Sequence, residues 1–346
     1  MSDSTFTCPR CFAEAPIRPG VQFCPHCGLA GAKEAALDAA PLEVTSGGRT
    51  YQVLDRIAVG SVCTVYRCRF TAGRRQVEGV FKVARDARSN GLVANEAQVL
   101  RLLHGAADAG QMTPFLPAVD ATVSVGTGGP GGARTANVLR MHEAVRSPDE
   151  LYALSEVSRH CPSGLDGRDV AWIWRRLLGV LGFVHGNGFV HAAVVPDHVL
   201  IEPKEHKLVL VDWCCAAPWR GERTGAVAGV RRAGAQHSVI PGHYLHWYRR
   251  QGGLRQAATP GLDIGLGARC MVQLLGGDPL LPEFPRAVDP ALRRYFERCV
   301  DAGSSGTRAD AWKLLDDFDR LIDVLWGPRQ FRPMTLPPKA TPAVRT

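Results

Sequence analysis

Phe189-Val190-His191-Ala192-Ala193-Val194-Val195-Pro196-Asp197-His198-Val199-Leu200-Ile201-Glu202-Pro203-Lys204-Glu205-His206-Lys207-Leu208-Val209-Leu210-Val211-Asp212 is the stretch on which the fold of this 346-residue chain turns. It holds three short apolar runs, 189–190, 199–201 and 208–211, which read as strands. The last two are joined by a polar turn of hairpin length, and Asp212 ends the final strand. Just upstream, Val170, Ile173, Leu177, Val180, Leu181 and Val184 recur at helical spacing, and Gly186-Asn187-Gly188 stops that helix. Downstream, 262–275, 290–300 and 309–326 are helical again.

Towards the N-terminus the pattern changes. Runs 51–57, 63–70 and 77–84 are dense in Val, Tyr and Phe and separated by Gly or polar turns, which predicts an antiparallel meander. Helix 92–104 follows, with Leu92, Val99, Leu100 and Leu103 on one stripe and Glu96 on the same stripe. After a Gly-rich turn at 126–132 comes another strand, 136–141. A β-rich first part and a helical second part make an α+β chain. In the strand 77–84, Val80, Lys82 and Ala84 point one way while Phe81 and Val83 point the other. One ammonium thus stands among apolar neighbours and needs a carboxylate, as an inward Glu needs a cation. Lys82 and Glu96 can supply each other. On the residues alone, an architectural ion pair or two solvated side chains is the commoner outcome of such a pattern.

Eleven Cys would suggest disulfides in a secreted protein, but no signal-peptide pattern opens the chain and four of them have metal-ligand spacing. Cys8-Pro-Arg-Cys11 and Cys24-Pro-His-Cys27-Gly28 are two knuckles whose four thiolates can close a tetrahedral Zn²⁺ site. Residues 1–28 are therefore predicted to be a small zinc ribbon, with metal binding supplying most of its folding energy. The other seven Cys are scattered and read as small buried hydrophobes. Residues 29–50, rich in Ala and Gly without an apolar period, read as a linker. The span 51–326 is one large domain, and 327–346, with five Pro, an extended tail.

The composition, 45% apolar and 21% charged, is that of a globular protein and excludes a coiled coil or wholesale disorder. No apolar run approaches the roughly 20 residues of a membrane helix, so a soluble, cytoplasmic protein is expected. Arg outnumbers Lys by 35 to 6 within a net charge of +8, a bias of GC-rich genomes. Part of the excess is local: residues 220–255 carry seven Arg and one Glu, a segment able to meet phosphates or an acidic partner.

Taken in order, these residues resemble a protein kinase domain, over about 270 residues. Gly79-Val80-Phe81-Lys82 resembles the strand whose Lys grips nucleotide phosphates, and Glu96 falls where that Lys finds its helix partner. His191 to His198 resembles the catalytic loop, and Val209-Leu210-Val211-Asp212-Trp213-Cys214 stands where the family has its metal-binding Asp-Phe-Gly. Asp263, near Gly265 and Gly267, resembles the buried Asp of the long central helix, and Arg308 the Arg that closes the helical lobe. The resemblance implies a two-lobed fold, a β-rich N-lobe and a helical C-lobe, preceded here by the ribbon. It also implies a site for ATP with Mg²⁺, built by Lys82, Glu96, Asp212 and Gly60, with the Lys–Glu pair facing Asp212 across a cleft.

The departures from the family are chemical. Where it has the catalytic Asp and, further along, the second metal-binding Asn, this chain has Ala193 and His198, and Val195 replaces the loop Lys. A methyl group cannot take a proton, so no catalytic residue of the loop is intact. The Gly-rich stretch Ile57-Ala58-Val59-Gly60-Ser61-Val62-Cys63-Thr64-Val65 keeps only its middle Gly, and no Ala-Pro-Glu follows the activation segment. What survives suits nucleotide binding without much transfer, as in a bacterial pseudokinase acting as a regulatory scaffold. Such proteins are often encoded beside phosphatases, which points to a protein partner in a signalling module. An atypical serine/threonine kinase, with Asp197, Asp212 or His198 covering the missing roles, is the alternative. A nucleic-acid-binding zinc-ribbon protein is the least favoured reading, because the basic segment interleaves few aromatics and the ribbon is poor in cations.

Overall fold

The computed structural model describes residues 5–7, 14–16, 42–126, 132–141, 145, 147–219, 244–251, 258–281, 283–302 and 309–337. Its chain divides into two compact units, Met1–His104 with Pro117–Pro148, and Gly105–Leu116 with Asp149–Thr346.

In the first unit, β1 (Thr5–Thr7) and β2 (Glu14–Pro16) pair antiparallel. A curled six-stranded antiparallel sheet follows. Its strands are β3 (Leu42–Ser46), β4 (Arg49–Val59), β5 (Cys63–Ala72), β6 (Arg75–Ala84), β7 (Ala118–Val125) and β8 (Arg134–Arg140), in the order β3-β4-β5-β6-β8-β7. The meander is where the alternation predicted it. The sheet begins earlier than expected, however, because β3 lies inside the stretch read as a linker. Gly47 and Gly48, whose composition suggested flexibility, both take positive φ, 55° and 75°. That is the requirement of a two-residue hairpin turn matching strand twist.

One face of the sheet closes on Tyr51, Val53, Tyr66, Cys68, Phe70, Phe81, Val83, Val123, Ala136 and Val138. Phe81 and Val83 point there, as alternation requires. Helix α1 (Asn90–His104) buries Leu92, Val93, Glu96, Val99, Leu100 and Leu103 and packs against β8, β7 and β6. Each fully buried Leu or Val on this stripe is worth about 1.5–3 kcal/mol. The helix start is pinned to β8: Asn90 Nδ2 donates to Ala133 O at 2.8 Å and its Oδ1 accepts from Thr135 N at 2.7 Å.

The second unit is helical around two buried rods, α3 (Gly167–Gly186) and α5 (Pro260–Leu274). Between them in sequence run β10 (Phe189–Val190), β11 (Val199–Glu202), β12 (Lys207–Leu210) and β13 (Ala217–Pro218). β9 (Tyr152–Ala153) joins β11 at a sheet edge, and β10 pairs with β13. Helices α2 (Leu154–His160), α4 (Leu245–Arg250), α6 (Pro290–Asp301) and α7 (Ala311–Trp326) complete it. Asp166 caps α3 by accepting from Arg168 N at 2.8 Å. Gly182 on α3 lets Trp312 of α7 approach so closely that a Cβ would lie 2.6 Å from the indole ring.

The described part of the C-terminal tail, residues 327–337, is anchored. Met334 and Leu336 are buried, Met334 N donates to Pro203 O at 3.2 Å, and Tyr152 Oη donates to Pro337 O at 2.9 Å. Among the described residues no helix is long and apolar enough to cross a membrane.

Candidate functional site

Strand β6 sits inside the sheet, with Lys82 in register with Val65 of β5 and Asn137 of β8. Its ammonium, on the face opposite Phe81, meets α1. Lys82 Nζ lies 2.8 Å from Glu96 Oε1, and the two side chains are 6% and 0% exposed, so neither charge is shared with bulk water. The pair that the sequence predicted is formed. A third member was not predicted: Asn137 Nδ2 donates to Glu96 Oε2 at 3.1 Å and to Val93 O at 2.8 Å. Its Oδ1 accepts from Thr122 Oγ1 at 3.1 Å, and Thr122 in turn accepts from Arg101 at 3.0 Å. Both carboxylate oxygens of Glu96 are therefore held, and α1 is fastened to β7 and β8 by polar as well as apolar contacts. The only signal for this in the sequence is one amide within the apolar run 136–139.

Gly60 opens the turn between β4 and β5. Its N–H donates to Cys63 O at 2.8 Å, and its carbonyl accepts from Arg85 at 3.2 Å. On either side of it, Ala58 is exposed and Cys63 buried.

In the second unit the loop 191–198 is organised from beneath by Asp263 of α5. This fully buried carboxylate accepts from His191 N at 2.8 Å, Ala192 N at 2.7 Å and His185 Nε2 at 3.0 Å. Ala192 takes φ +62°, a strained value for a residue with a Cβ, and Tyr248 Oη holds its carbonyl at 2.9 Å. His191 Nε2 donates to Val211 O at 3.0 Å and its Nδ1 accepts from Ala193 N at 3.2 Å. Burial pushes its pKa down to about 4, so the ring is neutral.

Ala193 and Val195 are buried apolar positions. Asp197 accepts from Ser155 Oγ and from Tyr244 Oη, the latter at 3.1 Å. The last residue of the loop is paired instead with Asp212, two residues past β12. His198 Nε2 lies 3.4 Å from Asp212 Oδ2, while His198 Nδ1 donates to Ala193 O at 2.8 Å. Asp212 takes φ +63° and accepts from Cys214 N at 3.4 Å.

The structure thus joins Lys82 to Glu96 in the first unit and His198 to Asp212 in the second. Cys8, Cys11, Cys24 and Cys27 lie outside the described residues, as do Arg308 and most of the basic segment 220–255.

No family model matches the chain. Its fold is similar to the crystal structure of the BubR1 kinase domain, with a TM-score of 0.56 over 82% of this chain and 84% of that one, at 15% identity. The fold is therefore protein kinase-like. In sequence, 97 residues are 26% identical to maternal embryonic leucine zipper kinase of Danio rerio, spanning 25% of this chain and only 14% of that kinase.

Proposed function

We propose that this is a kinase-like regulatory protein, a pseudokinase that binds ATP with weak or no phosphoryl transfer and works through a protein partner. The observation that carries the reading is Ala193. A buried methyl group stands where the kinase-like loop needs a base, and nearby Asp197 is already engaged by Ser155 and Tyr244. A missing base costs a factor of about 10² to 10⁴ in rate.

Nucleotide binding asks less of the chain. Lys82, aimed by Glu96, would present an ammonium to a phosphate, and Asp212 would offer a carboxylate to the accompanying cation. A metal ion there would neutralise phosphate charge. The four N-terminal Cys would hold a structural Zn²⁺.

A thermal-shift titration with ATP, with and without Mg²⁺ or Mn²⁺, tests this. A ligand at 100 times its Kd adds about 2.7 kcal/mol to folding stability. A rise in Tm that Lys82→Met removes is expected; no rise at any ATP concentration would reduce the protein to a purely structural kinase-like frame. The second reading, an atypical kinase, is favoured by one observation, the ionisable His198 beside Asp212.

A further inference from the structure

We propose that the cleft between α3, the β11–β12 hairpin and the tail that follows α7 is a second binding site, one that takes a phosphate carried on an aromatic group of nucleotide size. The cleft lies wholly within the second unit and holds about 430 Å³, inside the range of pockets for small ligands. Neither Lys82 nor the loop 191–198 lines it, so it stands or falls separately from ATP binding.

Its charges are arranged for an anion. Four guanidiniums line it: Arg168 and Arg175, two turns apart on one face of α3, and Arg329 and Arg332 from the tail. Two carboxylates serve them in pairs. Asp319 receives Arg175 through both of its oxygens and Arg329 at 2.6 Å, while Asp166 receives Arg332 at 3.3 Å and Arg168 at 4.0 Å. Each carboxylate thus orients two cations and neutralises one. The remaining acid of the wall, Asp169, has its carboxyl pushed up by burial. Four cations against three carboxylates leave one positive charge, and two once Asp169 takes a proton, which matches a phosphate dianion. The planar fork of Arg suits phosphate oxygens better than it suits a single point charge.

The rest of the wall is aromatic. Trp172 and His206 lie stacked, with ring centroids 4.3 Å apart and planes within 5°. Phe331 follows at 4.7 Å from His206, and Trp326 lies under the Arg168 guanidinium at 5.3 Å. Phe331 is 65% exposed between Arg329 and Arg332 in the chain, which leaves an open apolar ring beside the guanidiniums where a ligand's own ring can stack. The wall is also preformed. His206 Nε2 donates to Arg332 O at 2.6 Å and Met334 N to Pro203 O at 3.2 Å, so the tail is held against the hairpin and binding need not order it.

The test is calorimetric titration of the full chain with AMP, with N-acetyl-phosphotyrosine amide and with inorganic phosphate. At least one of the two aromatic phosphates should bind about tenfold tighter than inorganic phosphate. Tighter AMP assigns the site to a nucleotide, tighter phosphotyrosine to a phosphorylated protein segment. The double variant Arg329→Gln/Arg332→Gln, on an exposed stretch, should weaken binding at least about tenfold. Phe331→Ala should bring the aromatic ligands down towards inorganic phosphate. Asp169→Asn removes a like charge and should strengthen binding about threefold or more, a gain that a folding defect cannot mimic. Unchanged far-UV circular dichroism checks the fold of each variant. No binding up to millimolar concentration, or inorganic phosphate binding as tightly as both aromatic ligands, would overturn the proposal. So would an affinity that neither the tail pair nor Asp169→Asn moves, by placing the ligand elsewhere, as at Lys82.

Discussion

Asn137 Nδ2 lies 3.1 Å from Glu96 Oε2, so the carboxylate that receives Lys82 on one oxygen is held by the sheet on the other. The ion pair is therefore positioned by residues of its own unit, through β8 and α1. A buried pair of this kind gains little over apolar substitutes, yet breaking it strands a charge. Lys82→Met should cost about 3–5 kcal/mol in urea unfolding. The double variant Lys82→Met/Glu96→Leu should recover most of that loss. Equal and additive costs for the two substitutions would show that the charges are not coupled.

The same geometry predicts a smaller effect at Asn137. Asn137→Ala removes donors to Glu96 and to Val93 O and leaves both acceptors buried, which should cost about 1–3 kcal/mol. The Tm rise produced by ATP should shrink as well, because Lys82 loses its fixed aim. A variant as stable as the parent would mean that water replaces the amide.

What could be read in the sequence and what could not divides along physical lines. Lys82 and Glu96 were legible because strand alternation and helical period are local, and each placed its charge on an apolar face. Asn137 was not, since a lone amide in a strand looks the same whether it faces water or a buried carboxylate. The hairpin of β3 and β4 was hidden because Gly47 and Gly48 have the composition of a linker, and only their φ values make them a turn. His198 and Asp212 were each singled out from the family resemblance. Their pairing depends on the backbone bond from Val211 to His198 and on the positive φ of Asp212, neither of which leaves a pattern in residue type.

Protonation should expose the role of His191. Its pKa falls from 6.5 to about 4 in the folded chain, chiefly through burial. Between those two values the unfolded chain takes up a proton that the folded chain refuses, so stability is complete above pH 6.5 and is lost as pH falls towards 4. The loss amounts to about 3 kcal/mol. Unfolding measured from pH 7 to pH 4 should show a shallower decline in His191→Gln than in the parent. Parallel curves would remove His191 as the titrating group.

The N-terminal cysteines give a separable expectation. Metal analysis of purified protein should find about one zinc per chain, bound through Cys8, Cys11, Cys24 and Cys27. Cys24→Ser should lose it while leaving the melting of the rest of the chain in place, because a ribbon of this kind would draw its stability from the metal. A full equivalent of zinc in Cys24→Ser would place the ion elsewhere.

The central claim, a kinase-like fold used without effective phosphoryl transfer, is tested most directly by following transfer from γ-labelled ATP with Mg²⁺ or Mn²⁺ in the parent protein. Kinases turn over at about 1–100 per second, and loss of the base alone lowers this to roughly 10⁻⁴ to 1 per second. The expected result is a rate in or below that lower range, barely raised by Ala193→Asp, because Ala58 and Cys63, standing where the resembled family has glycines, would also impair phosphate positioning. Transfer at about 10 per second by the unmodified chain, abolished by Asp212→Ala, would contradict the account and make the protein an atypical kinase.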